Sequence, residues 1–324
     1  KQDDLTERFR GMADHWRVLN GLGDAEAARL IRDDGIHVMI YLGGHFDANR
    51  MMIATHRPAP VQAAMHGGAT TALEEMDYWL TDAVLHPPEQ GEAAEGFTEE
   101  LIRLPNFYSY PPLVDAPAVK PLPALDNGFV TFCSFNKPCK MNGEVLDLWA
   151  EIMRVVPDSR LMLKFKAHLE VPSLRESILA HFGGAGIAPE RIELVSGMDG
   201  FGDHLGRYSG ADIALDPFPF AGATTTYQAL WMGVPVVSLM GERFISRAGG
   251  SISTHAGLGD LVAETPEDYV AIAAALANDP DRLQTLRESL RDRVAASPLC
   301  DGPVYAANVE DAYRAIWARH HETG

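Results

Sequence analysis

The sequence predicts an α/β protein of two doubly wound, Rossmann-like lobes, the first one short of strands, with helices closing the chain. Three observations carry this prediction. Short apolar runs of strand length alternate with helix-period segments over almost all of the 324 residues. In the second half those runs are continuously apolar rather than alternating, as in parallel strands buried on both faces. Between the halves lies a proline-dense stretch, Tyr110 to Asn127, holding Pro111, Pro112, Pro117, Pro121 and Pro123. Such density opposes regular structure and reads as an interdomain linker.

In chain order, the first lobe offers strands at Val38–Leu42, Val61–Met65, Trp79–Thr81 and Leu101–Leu104. Four strands are few for a doubly wound sheet, and Lys1 opens directly into polar, helix-like sequence, so earlier strand–helix units are expected to precede this chain; the alternative is a naturally small first domain. The second series is Val130–Phe135, Leu161–Phe165, Ile192–Val195, Ile213–Leu215 and Val236–Leu239. Helical patterns separate them at about Gly143–Val156, Ser173–Phe182, Gly202–Tyr208 and Thr224–Met232. Helices at about Pro266–Ala277, Asp281–Ala296 and Val304–His320 follow. The expected organisation is a first lobe over 1–110, a linker over 111–127, a second lobe over 128–300 and a C-terminal helix over 301–324.

Composition narrows the function. Lys and Arg total 27 against 45 Asp and Glu, a formal charge of -18. That balance argues against broad nucleic-acid or anionic-membrane binding but leaves room for one small basic pocket. Three cysteines, Cys133, Cys139 and Cys300, cannot form a disulfide framework in a chain of this size, so a reducing cytoplasm is expected. Apolar runs such as Val234–Met240 are strand-sized, none approaches a membrane span, and the first residues lack the apolar core of a signal peptide.

The most informative segment is Asp216-Pro-Phe-Pro-Phe-Ala-Gly-Ala-Thr-Thr-Thr226, between the strand Ile213–Leu215 and the helix that follows it. A small-residue turn entering a helix exposes free N–H groups at the positive dipole end, which suits a phosphate or diphosphate. Gly222 permits close backbone approach, and Thr224 and Thr225 can add hydroxyl donors. The competing reading is that these threonines are simply N-caps. The turn's place at the carboxyl end of a parallel strand favours a ligand. A second turn, Phe135-Asn-Lys-Pro-Cys-Lys140, also follows a strand. A lysine there can neutralise a departing nucleotide diphosphate in place of a metal, although a lone loop lysine is more often a solvated charge. A third, Met65-His-Gly-Gly-Ala-Thr-Thr71, places His66 as a base or hydroxyl partner or, equally, as a structural histidine. His45, after Val38–Leu42, is its counterpart. Asp279-Pro-Asp281 reads as a helix cap rather than a metal motif, and no Cys/His cluster has zinc spacing.

These segments resemble the O-GlcNAc transferase and SPINDLY-type glycosyltransferases, particularly bacterial ones. The likeness rests on Asp34-Gly-Ile-His37, Arg57-Pro-Ala-Pro-Val-Gln62, Met76-Asp-Tyr-Trp-Leu-Thr-Asp82, Ser134-Phe-Asn with Lys140, Ala211 to Phe220, Gly222 to Thr226, Ala229 to Val237 and Ala296-Ser-Pro-Leu299. The resemblance implies a GT-B fold and inverting, metal-independent transfer of a sugar from a nucleotide-sugar donor to Ser or Thr of a protein acceptor, with no cofactor. It implies Lys140 on the donor diphosphate, Gly222, Thr224 and Thr225 in the phosphate turn, and Arg207 and Asp199 near the base. It also implies N-terminal tetratricopeptide repeats, or a missing first-lobe segment, in the full-length protein. This sequence departs from the family in several places. Gln228 replaces an acidic ribose-binding residue, His66-Gly67-Gly68 replaces a Leu-Gly-Tyr-Pro segment beside the donor sugar, Phe244 replaces a frequent histidine, and Lys137 adds a cation. Those departures point to a donor other than UDP-GlcNAc, such as a GDP-deoxysugar or a CMP-linked acidic sugar, on a bacterial surface protein such as flagellin. A GT-B-like epimerase would need carboxylate pairs in the cleft. A non-catalytic binding module is the other alternative.

Overall fold

The computed structural model describes residues 3–45, 49–90, 96–197 and 200–323. The first elements are α1 (Asp4–Met12), α2 (Asp24–Asp33), β1 (Val38–Tyr41), β2 (Val61–Ala64), β3 (Tyr78–Asp82) and β4 (Glu100–Leu104). The four strands form one sheet in the order β1-β2-β3-β4, with β1, β2 and β3 parallel. In the same part of the chain, Ala27, Ala28 and Ile53 pack with Leu19, Leu22 and Ile31.

Then come α3 (Pro123–Asn127), β5 (Thr131–Ser134), α4 (Gly143–Val155), β6 (Arg160–Lys164), α5 (Pro172–Gly184), β7 (Ile192–Val195), α6 (Phe201–Gly206), β8 (Ile213–Leu215), α7 (Thr224–Trp231), β9 (Val236–Leu239), α8 (Phe244–His255), β10 (Val262–Ala263), α9 (Pro266–Ala277), α10 (Pro280–Ala295) and α11 (Gly302–Thr323). The second sheet is parallel throughout, ordered β10-β9-β8-β5-β6-β7. The chain steps outward from β5 to β7, returns to β8 on the other side of β5, and continues to β10. The order therefore reverses between β5 and β8, and the carboxyl ends of those two strands define the crevice where open α/β sheets bind ligands.

Local chemistry explains the helices. The Asn142 side chain accepts from Val145 N at 2.9 Å and starts α4, whose Val145, Leu146, Trp149, Ala150, Ile152 and Met153 form the buried stripe of an amphipathic helix. Asp279 caps α10 through Arg282 N at 2.9 Å with Pro280 in the first turn, so Asp279-Pro-Asp281 is the cap expected from the sequence. Among the described residues no helix is long and apolar enough to cross a membrane.

Every expected strand is present, its ends within one residue of the expected ones. Four elements were not expected: α2, α8, β10 and the short α3 inside the proline-dense stretch. Pro123 fits the first turn of α3, where no N–H partner is required, and Gly128 ends the helix at φ +74°. The proline-dense stretch is also fastened down. Tyr110 N donates to Leu299 O at 2.7 Å, Arg291 to Pro117 O at 2.7 Å, and Arg287 to Lys120 O at 2.9 Å. Accordingly the compact units do not divide at 111–127. One comprises residues 1–79, 97–100 and 313–324, and the other 80–96 and 101–312. The end of α11 joins the first unit because Trp317 packs 4.8 Å from the His37 ring and Arg319 pairs with Glu100.

Arg287 of α10 is the largest charged side chain in the second unit's interior, 2% exposed. Besides Lys120 O, its guanidinium serves Ala211 O at 3.0 Å and Ser209 O at 3.3 Å. Replacing Arg287 by Ala leaves these carbonyls without a donor, and the expected loss is about 3 kcal/mol or more. Urea unfolding followed by the fluorescence of Trp149 and Trp231 measures it.

Candidate functional site

The site begins where β8 ends. Asp216 is 2% exposed, and a carboxylate so buried must be hydrogen-bonded. Gly222 N donates to its Oδ1 at 2.7 Å, and Ser238 Oγ of β9 donates to its Oδ2 at 3.2 Å. Its carbonyl accepts from the Tyr269 hydroxyl of α9 at 3.0 Å, and that hydroxyl accepts from Trp149 Nε1 of α4 at 3.0 Å. Burial pushes the Asp216 carboxyl up to about 7, against the opposing pull of the Gly222 N–H, the Lys140 charge and Ser238.

The loop from Asp216 passes a cis Phe218–Pro219 peptide and enters α7. A Cβ on Gly222 would stand 2.7 Å from Asp216 Oδ1, 2.7 Å from Thr225 Oγ1 and 2.8 Å from Thr226 Oγ1, so only glycine fits. The N-cap residue is Ala223, and no side chain caps the helix. The threonines are therefore not N-caps. Thr224 is exposed in the first helical position and its hydroxyl engages that of Tyr110. Thr225 Oγ1 donates to Asn136 Oδ1 at 3.0 Å. Thr226 Oγ1 is buried with no hydrogen-bond partner among the described residues. The start of α7 thus keeps first-turn N–H groups and the positive dipole end for an anion.

Lys140 approaches from the end of β5. It closes a single turn, Pro138–Lys140, and its Nζ donates to Ala221 O at 2.7 Å while lying 4.0 Å from the Phe220 ring centroid. Burial holds its pKa below the ordinary lysine value and Asp216 opposes the shift. Lys140, Asp216, Gly222 and Thr225 are therefore one cluster at adjacent strand ends. Lys137 stands exposed just ahead of that turn.

Beside the cluster is a cavity of about 350 Å³, walled by Phe135, Phe165, Phe201, Lys164, His204 and Thr225 among others. Lys164 Nζ is 3.1 Å from His204 Nδ1, and His204 Nε2 is 3.2 Å from Gln228 Oε1. An ammonium only donates, so Nδ1 accepts and Nε2–H donates to the amide oxygen. Gln228 is thereby tied to the cavity through His204. Neither Lys164, His204 nor Asn136 was picked out from the sequence as a site residue. The available signal was position: Lys164 ends β6 as Asn136 follows β5, both at carboxyl strand ends.

Other expected residues lie elsewhere. Arg207 is exposed just after α6 and lines a groove of about 480 Å³ with Asn127, Phe129 and Arg160, near the amino ends of β5 and β6. It is not brought into the Lys140 cluster. Asp199 lies outside the described residues. His66 and Gly67 belong to the first unit: His66 is exposed at φ +63°, and a Cβ on Gly67 would meet the Trp79 ring at 2.7 Å and Gly44 Cα at 3.0 Å. A packing constraint thus requires glycine at 67. His45 Nε2 is 2.7 Å from Thr70 O in the same loop pair. Among the described residues no three His, Cys, Asp or Glu side chains are grouped as ligands for a metal ion.

Residues 6–110 and 120–309 match glycosyl transferase family 41. The chain belongs to this family. The probable UDP-N-acetylglucosamine–peptide N-acetylglucosaminyltransferase SPINDLY of Solanum lycopersicum is 41% identical over 326 residues, covering 99% of this chain and 35% of that protein. Its Arabidopsis thaliana counterpart is 40% identical over the same shares. The solved structure of an O-GlcNAc transferase mutant from Thermobaculum terrenum matches with a TM-score of 0.91 at 39% identity, covering all of this chain and 61% of that one. A glycosyltransferase from Rickettsia africae ESF-5, at TM-score 0.60 and 8% identity, shares the fold alone. The family 41 chain has the α/β, parallel-sheet fold of GT-B glycosyltransferases, and it spans about a third of the length of the curated relatives it matches.

Gly222→Ala tests how tightly the turn is built. The new methyl forces Asp216, Thr225 or Thr226 to move, and the expected cost is about 1–3 kcal/mol, read as a lower thermal unfolding midpoint.

Proposed function

We propose that this chain is the catalytic part of an inverting glycosyltransferase that moves a sugar from a nucleotide-sugar donor to a Ser or Thr hydroxyl of a protein, without a metal ion. The observation that carries this reading is the convergence of Lys140, Gly222 and Thr225 at adjacent strand ends, beside a cavity walled by three phenylalanines and Lys164. In this reading the donor diphosphate seats on the start of α7, and Phe135, Phe165 and Phe201 offer faces to the planar base. The acceptor hydroxyl attacks the anomeric carbon as the bond from that carbon to the phosphate oxygen breaks. The hydroxyl proton leaves to a base, and the charge arriving on the diphosphate is met by Lys140 and the helix dipole.

A second reading concerns the donor. Gln228 Oε1 is committed to His204, so the amide presents donors where a carboxylate would present acceptors. That change favours a donor other than UDP-GlcNAc, with a GDP-deoxysugar or CMP-linked acidic sugar as the candidates. The free state of Cys133, Cys139 and Cys300 agrees with work in a reducing cytoplasm. Recognition of the protein acceptor is assigned in part to N-terminal repeats of the full-length protein.

The test uses the full-length protein with UDP-, GDP- and CMP-sugars and a peptide acceptor. Lys140→Ala should lower kcat by on the order of 10²–10³-fold while the protein still unfolds cooperatively. Undiminished transfer by this variant, or no binding of any nucleotide sugar by the wild type, sinks the proposal.

A further inference from the structure

Asp216 is walled in. Glycine stands on both sides of its carboxyl: a Cβ on Gly222 would crowd Oδ1, and one on Gly249 of α8 would collide with Oδ2. The group therefore cannot turn toward solvent, and it lies one hydrogen bond behind the anion-binding turn, through Gly222 N at 2.7 Å. Around it stand Lys140 from the β5 turn, Ser238 from β9, Tyr269 from α9 and, farther off, Tyr108, whose ionisation its charge opposes. The facing cation is Lys140, whose Nζ lies on Ala221 O in the same loop. A diphosphate seated on the turn and an ionised Asp216 would then be two anions on opposite sides of one peptide, competing for one lysine.

From this geometry we infer that Asp216 is a positioning residue that surrenders its charge when the donor seats, so that binding draws a proton from solvent onto its carboxyl. This inference rests on the donor-binding reading above. The proton adds to Oδ2. The new Oδ2–H donates to Ser238 Oγ, reversing the hydrogen bond that Ser238 now donates, while Oδ1 continues to accept from Gly222 N. No other bond is made or broken, and the proton returns to solvent when the anion leaves. The free carboxyl, raised to about 7, is half charged at neutrality, so little work is needed to protonate it. An arriving anion raises its proton affinity further. Between the two values the complex holds more protons than the free protein, so affinity rises as pH falls.

Isothermal titration calorimetry of the full-length protein at pH 7 tests this, using UDP-N-acetylglucosamine and a GDP-linked deoxysugar in PIPES and in Tris buffer. The phosphates of both probes are diesters with no titration near neutrality. The buffer dependence of the heat should report uptake of about half a proton. Kd should weaken by up to about tenfold per pH unit above pH 7.5 and level off below pH 6. Asp216→Asn keeps the shape and one acceptor for Gly222 N, and it should abolish the uptake and flatten the pH dependence. Should that variant not fold, Ser238→Ala removes a hydrogen bond that favours the charged form, and it should move the pH midpoint upward. Tight binding with no proton uptake, or unchanged uptake in Asp216→Asn, overturns the inference while leaving the glycosyltransferase reading intact. Failure of the wild type to bind any nucleotide sugar overturns both.

Discussion

The second unit is arranged around a carboxyl group that the fold buries almost completely. A buried Asp216 needs donors on both oxygens, and the chain supplies a backbone N–H at Gly222 and a hydroxyl at Ser238. The requirement spreads outward. Gly222 and Gly249 are glycines because Asp216 leaves no space for a Cβ, and Tyr269 and Trp149 continue the same hydrogen-bonded chain into α9 and α4. The side chains that hold the core together also fix the turn at the start of α7. A site built this way is set before any ligand arrives, which is the condition for fixed dipoles to stabilise developing charge.

The other end of β8 repeats the device for a different purpose. Asp212 Oδ2 accepts from Thr131 N at 2.7 Å and its Oδ1 from Ala124 N at 2.9 Å, while Arg287 bonds the neighbouring Ala211 O. One short strand thus carries a buried carboxylate at each end. Asp212, at the amino end, ties β8 to the start of β5 and to α3. Asp216, at the carboxyl end, shapes the turn that faces the ligand side. Because the strand order reverses between β5 and β8, fastening these two strands at one end also fixes the separation of the Lys140 turn and the Asp216 loop at the other.

The strands were legible in the sequence because parallel strands buried on both faces must be apolar throughout, a pattern that little else in the chain produces. Helix α8 was not legible. Its buried Phe244, Ala248 and Ile252 are interrupted by Gly249 and Gly250, residues that helices disfavour, and Asp216 is the reason for Gly249. β10 is two residues long, below what periodicity resolves. For the site, strand-end position located Lys140 and the Gly222 turn, but it could not rank the threonines, which differ through contacts with Tyr110, Asn136 and nothing. The Lys164–His204–Gln228 chain joins residues 24 and 40 positions apart, and proximity of that kind is not written in spacing. Arg207 took its expected role from the resemblance alone, and the short α6 leaves it near the amino ends of the strands.

A chain with a formal charge of -18 is an unpromising host for an anion. The local arrangement resolves the difficulty. At the carboxyl ends of the second sheet stand Lys137, Lys140, Lys164 and Lys166, and the buried acid among them is Asp216, half neutral at pH 7. At physiological ionic strength charges beyond roughly 8 Å on the exposed surface are screened, so the acidic remainder of the protein contributes little at this point. Gln228 adds no charge here; its Oε1 lies 3.2 Å from His204 Nε2, and His204 Nδ1 faces Lys164 Nζ at 3.1 Å. The positive character of these strand ends therefore comes from lysines and a helix terminus.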